Sequence, residues 1–392
     1  MIRSYREADL HDTLTLVRMD LNVSFKDGAI VDESRLVQAA ESLKILQELG
    51  AKLLVLSHLG RPKGQVVAEY SLEPLAARLG ALLGTEVKFA LNPMDIDDAS
   101  LAAGDVVLIE NTRFCAGEEK NDPDFAKFLA GLGKVYINDA FSAAHRAHAS
   151  TEGVAHHLPS YAGPALLREI EALEQVLVSP KSPTVGVIGG SKISTKISVI
   201  ENLLPKLDQL IIGGAMANTF LYAAGYSVGR SLYEPEATDI IADIHAKALS
   251  CGCEIILPKD LHIAAGLEDH AGARTVGLDA CPDDAMILDI GHNESLSAMK
   301  SVLGNAKTVL WNGPFGAFEY PPFDTATNDI ANFVAAQTQA GHCVSVAGGG
   351  DTLAALRHAK AAEGFSYVST AGGAFLEWLE GKTLPGIAVL DS

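Results

Sequence analysis

The sequence predicts an α/β protein built on parallel sheets and divided into two domains. Three observations carry that prediction. Short runs rich in Val, Ile and Leu recur at 14–19, 52–56, 105–109, 134–137, 184–188, 209–212, 254–257, 308–311 and 343–347. Between them, segments such as 35–49, 72–83 and 122–132 carry apolar residues at helical spacing, and this alternation is the signature of βαβ units. At 392 residues the chain is also too long for one typical core and long enough for two. Ligands of open α/β sheets bind beyond the carboxyl ends of the strands, so every strand end is a place to look for chemistry.

A hydrophobic content of 48% with 20% charged residues is ordinary for a globular chain. No apolar run reaches the ~18–20 residues needed to span a bilayer, and the N-terminal Met1-Ile-Arg-Ser-Tyr-Arg-Glu7 lacks a signal-peptide core. The expectation is a soluble, cytoplasmic protein. A net charge of −19 argues against nucleic acid and anionic membranes as partners, since both repel it at long range. Any basic site must therefore be focused in a cleft. Cys115, Cys251, Cys253, Cys281 and Cys343 show no C-x-x-C spacing and are expected to be reduced and structural. His11, His262, His270, His292 and His358 carry no metal-ligand spacing, and no G-x-S-x-G elbow is present, which removes metalloenzyme and serine-hydrolase readings.

In the first half the strands run out into Arg18-Met-Asp20-Leu21-Asn22, Ser57-His58-Leu59-Gly60-Arg61, Glu110-Asn-Thr-Arg113 and Asn138-Asp-Ala-Phe-Ser-Ala-Ala-His145-Arg146-Ala-His148. Arginine presents a planar fork of donors matched to phosphate and carboxylate oxygens. Arg35, Arg61, Arg113 and Arg146, at strand ends or on the adjoining helix, would form an anion cradle. His58 and His145 can add donors, and Asp20 with Asn22 can hold a hydroxyl. Any one of these arginines taken singly reads better as a surface ion-pair partner; four at one edge point to a small, polyanionic, hydroxylated ligand.

The helical segment 164–178, followed by Ser179-Pro-Lys-Ser-Pro183, is the candidate connector. Beyond it, the run 184–188 breaks at Gly189-Gly190 and is expected to open a helix carrying Lys192 and Lys196 four apart on one face. Like charges at that spacing repel by about 0.2–0.5 kcal/mol and oppose the helix dipole, so a bound anion would compensate them. Ser191 and Ile193 stand where a P-loop requires Gly and Ser/Thr. Taken alone, the turn divides evenly between a phosphate site and an ordinary α/β turn with solvated lysines. Gly213-Gly214-Ala215, Gly348-Gly349-Gly350-Asp351-Thr352 and Ser369-Thr-Ala371-Gly-Gly373 are further glycine turns, the last two ahead of helical segments 353–362 and 374–379. Several such turns in one half favour a nucleotide polyphosphate. Asp351 reads either as the N-cap of its helix or as a magnesium ligand, with local sequence favouring the cap. Glu319, after Trp311-Asn-Gly-Pro-Phe-Gly-Ala-Phe318, is a candidate acceptor for ribose hydroxyls, although in isolation it reads better as a solvated loop residue.

Taken together, Arg18-Met-Asp-Leu-Asn22, Ser57-His-Leu-Gly-Arg-Pro62, Glu118-Glu-Lys-Asn-Asp122, Asn138-Asp-Ala-Phe141, Ala144-His-Arg-Ala-His-Ala149, Trp311-Asn-Gly-Pro314 and Gly348-Gly-Gly-Asp351 resemble the motifs of one family over nearly the whole chain, the phosphoglycerate kinases. The resemblance implies two Rossmann-like α/β/α domains joined by a hinge. Residues 1–165 would bind 3-phosphoglycerate, 166–375 would bind nucleotide, and 376–392 would pack back on the first domain. It implies reversible, magnesium-dependent phosphoryl transfer between ATP and 3-phosphoglycerate, giving ADP and 1,3-bisphosphoglycerate in glycolysis, with the domains closing over their substrates. The chain is expected to act as a monomer.

Residue by residue, Asp20, Leu21, Asn22, Arg35, His58, Leu59, Gly60, Arg61, Arg113 and Arg146 fall on the family's 3-phosphoglycerate positions. Lys196, Gly213, Gly214, Glu319, Gly349, Gly350, Asp351 and Thr352 fall on its nucleotide positions, with Asp351 at the magnesium. Arg35, Lys192 and Lys196 fall on the positions that act on the transferring phosphoryl group. The chain departs from common family forms at Leu21, Ala215 and Ala371, the last two adding methyl groups near the presumed nucleotide turns. The acceptor carboxylate is already ionised at neutral pH, so no catalytic base is required, and positioning with gathered positive charge carries the reaction. A dinucleotide-dependent dehydrogenase would want a G-x-G-x-x-G turn after a strand, which is absent. A non-catalytic metabolite-binding protein would leave the glycine turns and lysines unexplained.

Overall fold

The structure is a computed structural model that describes residues 2–391. The chain forms two compact units, one comprising the residues up to Ile170 together with those from Thr383 onward, the other Glu171–Lys382. In the first unit the elements are β1 (Leu14–Arg18), β2 (Phe25–Lys26), β3 (Ala29–Ile30), α1 (Ser34–Glu48), β4 (Lys52–Leu56), α2 (Glu73–Leu83), β5 (Val87–Ala90), β6 (Val106–Ile109), α3 (Pro123–Ala130), β7 (Val135–Asn138), β8 (Ser160–Ala162) and the start of α4 (Pro164–Leu177). Six of the strands form one parallel sheet in the order β5-β6-β4-β1-β7-β8.

This sheet is buried on both faces, which is why β4 reads as an apolar run after Lys52 and why β1 buries all five of its residues, Thr15 and Arg18 included. Successive side chains still point to opposite faces. Val17, Val55, Leu108 and Ile137 pack on one face with Leu36 and Leu43 of α1 and Leu75 and Leu79 of α2. Their neighbours Leu16, Leu54, Val107 and Tyr136 pack on the other with Ala126 and Leu129 of α3.

The second unit adds β9 (Thr184–Ile188), α5 (Ile197–Leu203), β10 (Gln209–Ile212), α6 (Gly214–Ala223), α7 (Thr238–Cys251), β11 (Glu254–Ile256), β12 (Asp260–Ala264), β13 (Arg274–Gly277), β14 (Met286–Ile290), α8 (Glu294–Asn305), β15 (Thr308–Asn312), α9 (Thr325–Gln339), β16 (Val344–Gly348), α10 (Gly350–His358), β17 (Tyr367–Ser369) and α11 (Gly373–Leu379). Its parallel sheet runs β11-β10-β9-β15-β16-β17, the order of a doubly wound nucleotide-binding fold, with the connections reversing direction between β9 and β15. Val185, Val187, Val309 and Trp311 bury against Met299 and Leu303 of α8 and Ile330 and Val334 of α9.

Several expectations are corrected. The antiparallel sheet β13-β12-β14 has no counterpart in the sequence reading. Its strands lack a clean apolar pattern because polar residues there do structural work: Asp260 opens β12 and accepts from the backbone N–H groups of Glu294 and Ser295 at the start of α8, while Asp289 in β14 accepts from Ala326 N. The edge strands β5, β8 and β17 are three or four residues long and were likewise not anticipated. Helix α10 begins at Gly350, three residues before the expected start.

The unit boundaries also shift. Expected at 165/166, the first division lies at 170/171, because Asp139 Oδ1 accepts from Ala165 N and Leu166 N and ties the first turn of α4 to the first unit. Residues 376–382, expected in the returning segment, pack in the second unit, where Asn202 Nδ2 of α5 donates to Leu379 O at 2.8 Å. The segment that belongs to the first unit starts at Thr383 and carries α12 (Pro385–Ala388). It is held by Gly386 N to Ala144 O, Asn138 Nδ2 to Gly386 O and Arg3 N to Leu390 O. Leu390 is fully buried. Leu390→Ala should therefore lower the stability of the first unit by about 2–5 kcal/mol, the range for a buried leucine, in urea unfolding. A loss below about 0.5 kcal/mol would mean that the segment is only loosely attached.

Candidate functional site

In the first unit the connections reverse direction beside β1, and its carboxyl end meets those of β4, β6 and β7. The loop after β1 is pinned to its neighbours: Leu21 N donates to Ser57 Oγ, Asn22 N to Asp20 Oδ1, and Gly60 N to Asn22 Oδ1 at 2.9 Å. Leu21 and Leu59 are buried and anchor this loop and the one after β4. Arg35, the second residue of α1, donates through Nη1 to Asn22 O at 2.6 Å and pairs with the Asp20 carboxylate at 3.2 Å. Arg113 is buried, donates through Nη1 to Gly60 O at 2.8 Å and pairs with Glu119 at 3.4 Å. Arg146, in the turn after β7, is exposed and bonds His145 at 3.2 Å. Arg61 is exposed in the loop after β4.

The electrostatics of this edge are dominated by cations. His58 is held well below the usual histidine range, by burial first and then by Arg18, Arg113 and Arg35. His148 is pushed down to about 4, by burial and then by Arg113, Arg18 and Arg146. Both imidazoles are therefore neutral at pH 7, because burial disfavours the charged ring and the gathered arginine charge adds to it. Asp20, Glu118 and Glu119 offset part of that charge.

In the second unit, a cleft of about 290 Å³ is lined by Gly190, Gly214, Ala215, Asn218, Glu319 and Asp351 among others. Its floor is the point where β9 and β15 part. Gly214 has φ +64, and a Cβ there would lie 2.6 Å from the backbone of Gly190. Gly349 has φ +103, and a Cβ would meet Asn312 Nδ2 at 2.5 Å. A side chain at Gly214 would collide with the backbone after β9, and one at Gly349 would displace the Asn312 amide, both at a φ that favours glycine. The amides of Gly213 and Gly214 are already engaged, donating to Ile188 O and Phe315 O. These two bonds fix the turn that joins the ends of β9 and β10 to the loop after β15. The first amides of α10, from Gly350 to Thr352, have no partner within their own helix and sit at its positive end. Thr352 Oγ1 accepts from Gly313 N at 2.7 Å, locking α10 to the end of β15.

The lysines are not on one helix face. Ile193 is buried and draws the chain into a single 3₁₀ turn, Ile193–Thr195, leaving Lys192 extended and exposed before it and Lys196 at the junction with α5. The repulsion expected between them therefore does not arise. Lys196 Nζ donates to Asn312 Oδ1, and Asn312 Nδ2 donates to Gly348 O at 2.6 Å. Burial pulls Lys196 below the usual lysine range, opposed by Asp351 and Glu380. Asp351 is not the N-cap: Gly349 holds that position, and Asp351 is the second residue of α10. Ala215 lines the cleft, whereas Ala371 is buried in the turn before α11.

The sequence reading assigned no role to Arg18, Glu118, His148, Ser150 or Asn312, although all but Ser150 lie within quoted motifs. The available signal was Arg18 itself, a charge closing an otherwise uncharged, wholly buried strand. It is 1% exposed and donates to Ser150 Oγ and to His58 Nδ1.

A family model described as phosphoglycerate kinase matches residues 5–382. The chain is 52% identical over 387 residues to the phosphoglycerate kinase of Chelativorans sp. (strain BNC1), covering 98% of this chain and 97% of that one. It is 51% identical over 386 residues to that of Rhizobium meliloti (strain 1021), covering 97% and 96%. The solved phosphoglycerate kinase of Coxiella burnetii, 42% identical, matches with a TM-score of 0.94 over 100% of this chain and 99% of that one. That of Pyrococcus horikoshii OT3, 28% identical, matches with a TM-score of 0.79 over 100% and 98%. With its motifs, its two parallel sheets and nearly its full length matched in this way, the chain belongs to the phosphoglycerate kinase family.

Proposed function

We propose how this chain divides the family's reaction among its residues. That reaction is the reversible transfer of a phosphoryl group between ATP and the carboxylate of 3-phosphoglycerate, giving ADP and 1,3-bisphosphoglycerate in glycolysis. The observation that carries the assignment is the gathering of positive charge at one edge of the first sheet, where Arg35, Arg113 and Arg146 sit beside buried His58 and His148, within a chain of net charge −19. Such a field suits a small polyanion. Asp20, Asn22, Arg35, His58, Arg61, Arg113 and Arg146 hold 3-phosphoglycerate, with Leu21, Leu59 and Gly60 fixing the two loops that carry them.

The cleft of the second unit takes the nucleotide. Gly213 and Gly214 shape its floor, Gly349, Gly350 and Thr352 present the start of α10 to phosphate, and Glu319 accepts from ribose hydroxyls. Arg35, Lys192 and Lys196 supply positive charge to the transferring group, and the acceptor carboxylate needs no base. Asp351 is an exposed carboxylate on the cleft wall, and among the described residues no cluster of three His, Cys, Asp or Glu could hold a metal unaided. One carboxylate fits magnesium that takes its other ligands from phosphate and water, and the bound ion neutralises phosphate charge. We also read the chain as a cytoplasmic monomer without nucleic-acid or membrane partners, supported by its charge and by the lack, among the described residues, of any helix long and apolar enough to cross a membrane.

Two substitutions test the arginines. Arg146 grips the non-reacting phosphate equally in ground and transition states, so Arg146→Ala should raise KM for 3-phosphoglycerate more than it lowers kcat. Arg35→Ala should instead lower kcat by on the order of 10²–10³ at saturating substrate. A coupled assay that finds most of kcat retained in Arg35→Ala, or no rescue of Arg146→Ala by added 3-phosphoglycerate, removes this division.

The metal assignment is tested by Asp351→Asn, which keeps size and shape but removes the charge. The variant should need more magnesium for half-maximal turnover while its KM for 3-phosphoglycerate stays within about twofold, since the change touches only ground-state binding of the other substrate. An unchanged magnesium requirement would retire Asp351 as a ligand.

A further inference from the structure

We infer that Ser150, anchored by Glu118, is a positioning residue that acts through Arg18 to fix the tautomer of His58, so that its Nε2–H is the donor offered to the bound anion. This rests on the reading of His58 as a 3-phosphoglycerate group. The chain of contacts starts at Glu118, which is 0% exposed. Its two oxygens accept from Ser150 Oγ at 2.5 Å and from Ser150 N at 3.0 Å. A serine hydroxyl has a single proton, and here it goes to the carboxylate. The oxygen's lone pair is then turned toward Arg18, whose Nε donates to it at 3.0 Å. Arg18 is fixed at two further points: Nη1 donates to Met19 O, and Nη2 lies 2.8 Å from His58 Nδ1.

Guanidinium carries donors only, so His58 Nδ1 must be the acceptor in this pair. The ring proton is therefore on Nε2. Protonating Nδ1 would break the bond and set two cations in contact. The charged or titratable groups facing His58 are Arg18 from β1, Arg35 from α1, Arg113 from the turn after β6 and His148 from the turn after β7. All four oppose a charged ring, and the acids of this edge, Asp20 and Glu118, are engaged by Arg35 and by Ser150. A free histidine side chain populates both tautomers and titrates near 6.5, which would leave the donor to the anion undefined. The contribution of Ser150 is to remove that freedom without touching the substrate: it separates Arg18 from Glu118 by one hydroxyl, so the arginine is held but its Nη2 stays turned to His58.

The test uses the full chain labelled with ¹⁵N-histidine, with the His58 ring signals assigned by their loss in His58→Gln. In the parent, His58 should be a single Nε2–H tautomer that stays neutral as pH falls from 8 to 5.5. Ser150→Ala should give a mixture of tautomers, move the titration midpoint toward 6.5, and raise KM for 3-phosphoglycerate about threefold to tenfold, the worth of one neutral hydrogen bond, with KM for ATP unchanged. Ser150→Thr, which restores the hydroxyl, should return the parental spectrum. An Nδ1–H tautomer or a midpoint near 6.5 in the parent overturns the inference without any variant, as does an unaltered His58 spectrum in Ser150→Ala. If His58→Gln leaves KM for 3-phosphoglycerate unchanged, the substrate assignment of His58 fails, and the tautomer measurement separates that failure from failure of the relay.

Discussion

Parallel strands joined in register all end at the same edge of their sheet, and both candidate sites follow from that constraint. In the first unit the carboxyl ends of β1, β4, β6 and β7 bring Asp20, His58, Arg113 and Arg146 within one region although they are separated by up to 126 positions in sequence. In the second unit, β9 and β15 part at the reversal of strand order and leave the cleft between their loops. Each sheet is buried on both faces, so its edge is the one place where polar groups reach solvent without disrupting packing. Two acids that intrude elsewhere are matched by backbone donors: Asp139 and Asp289, both raised to about 6 by burial, each accept backbone N–H bonds.

The two units solve the problem of attracting an anion by different means. The first uses side-chain charge. Burying part of that charge is costly, and the cost is limited by hydrogen bonds from Arg18 to Ser150, Met19 and His58 and from Arg113 to Gly60, with Glu119 as the ion-pair partner of Arg113. The second uses backbone geometry. Its glycines permit close approach of strand ends, the start of α10 supplies oriented amides, and of Lys192 and Lys196 the second is held in place by Asn312. A chain of net charge −19 can bind two polyanions because both devices act over a few ångströms inside a cleft, where solvent and the distant acidic surface count for little.

The central strands, the helices between them and the strand-end motifs were legible in the sequence, because burial on both faces writes continuous apolar runs and turns write glycines. What sequence could not supply was three-dimensional competition for a hydrogen bond. The amides of Gly213 and Gly214 go to Ile188 O and Phe315 O, partners that lie 25 and 101 positions away. Asp351 looks like a cap until Gly349 takes that position. Lys192 and Lys196 suggest a helical face until the buried Ile193 imposes a 3₁₀ turn. The antiparallel strands β12–β14 are harder to read for the converse reason: their polar residues serve neighbouring elements and break the apolar runs, leaving the short alternation Asp260-Leu-His-Ile-Ala264 of β12 as the one period-two signal among them.

The central claim is that each sheet edge receives its own substrate, and amide hydrogen exchange of the full chain tests it most directly. With 3-phosphoglycerate alone, protection should rise at residues 19–22, 57–61, 111–114 and 145–148. With magnesium and ADP alone, it should rise at 189–196, 312–319 and 348–353. The account is contradicted if 3-phosphoglycerate protects the glycine turns of the second unit and leaves the arginine-bearing loops of the first unchanged.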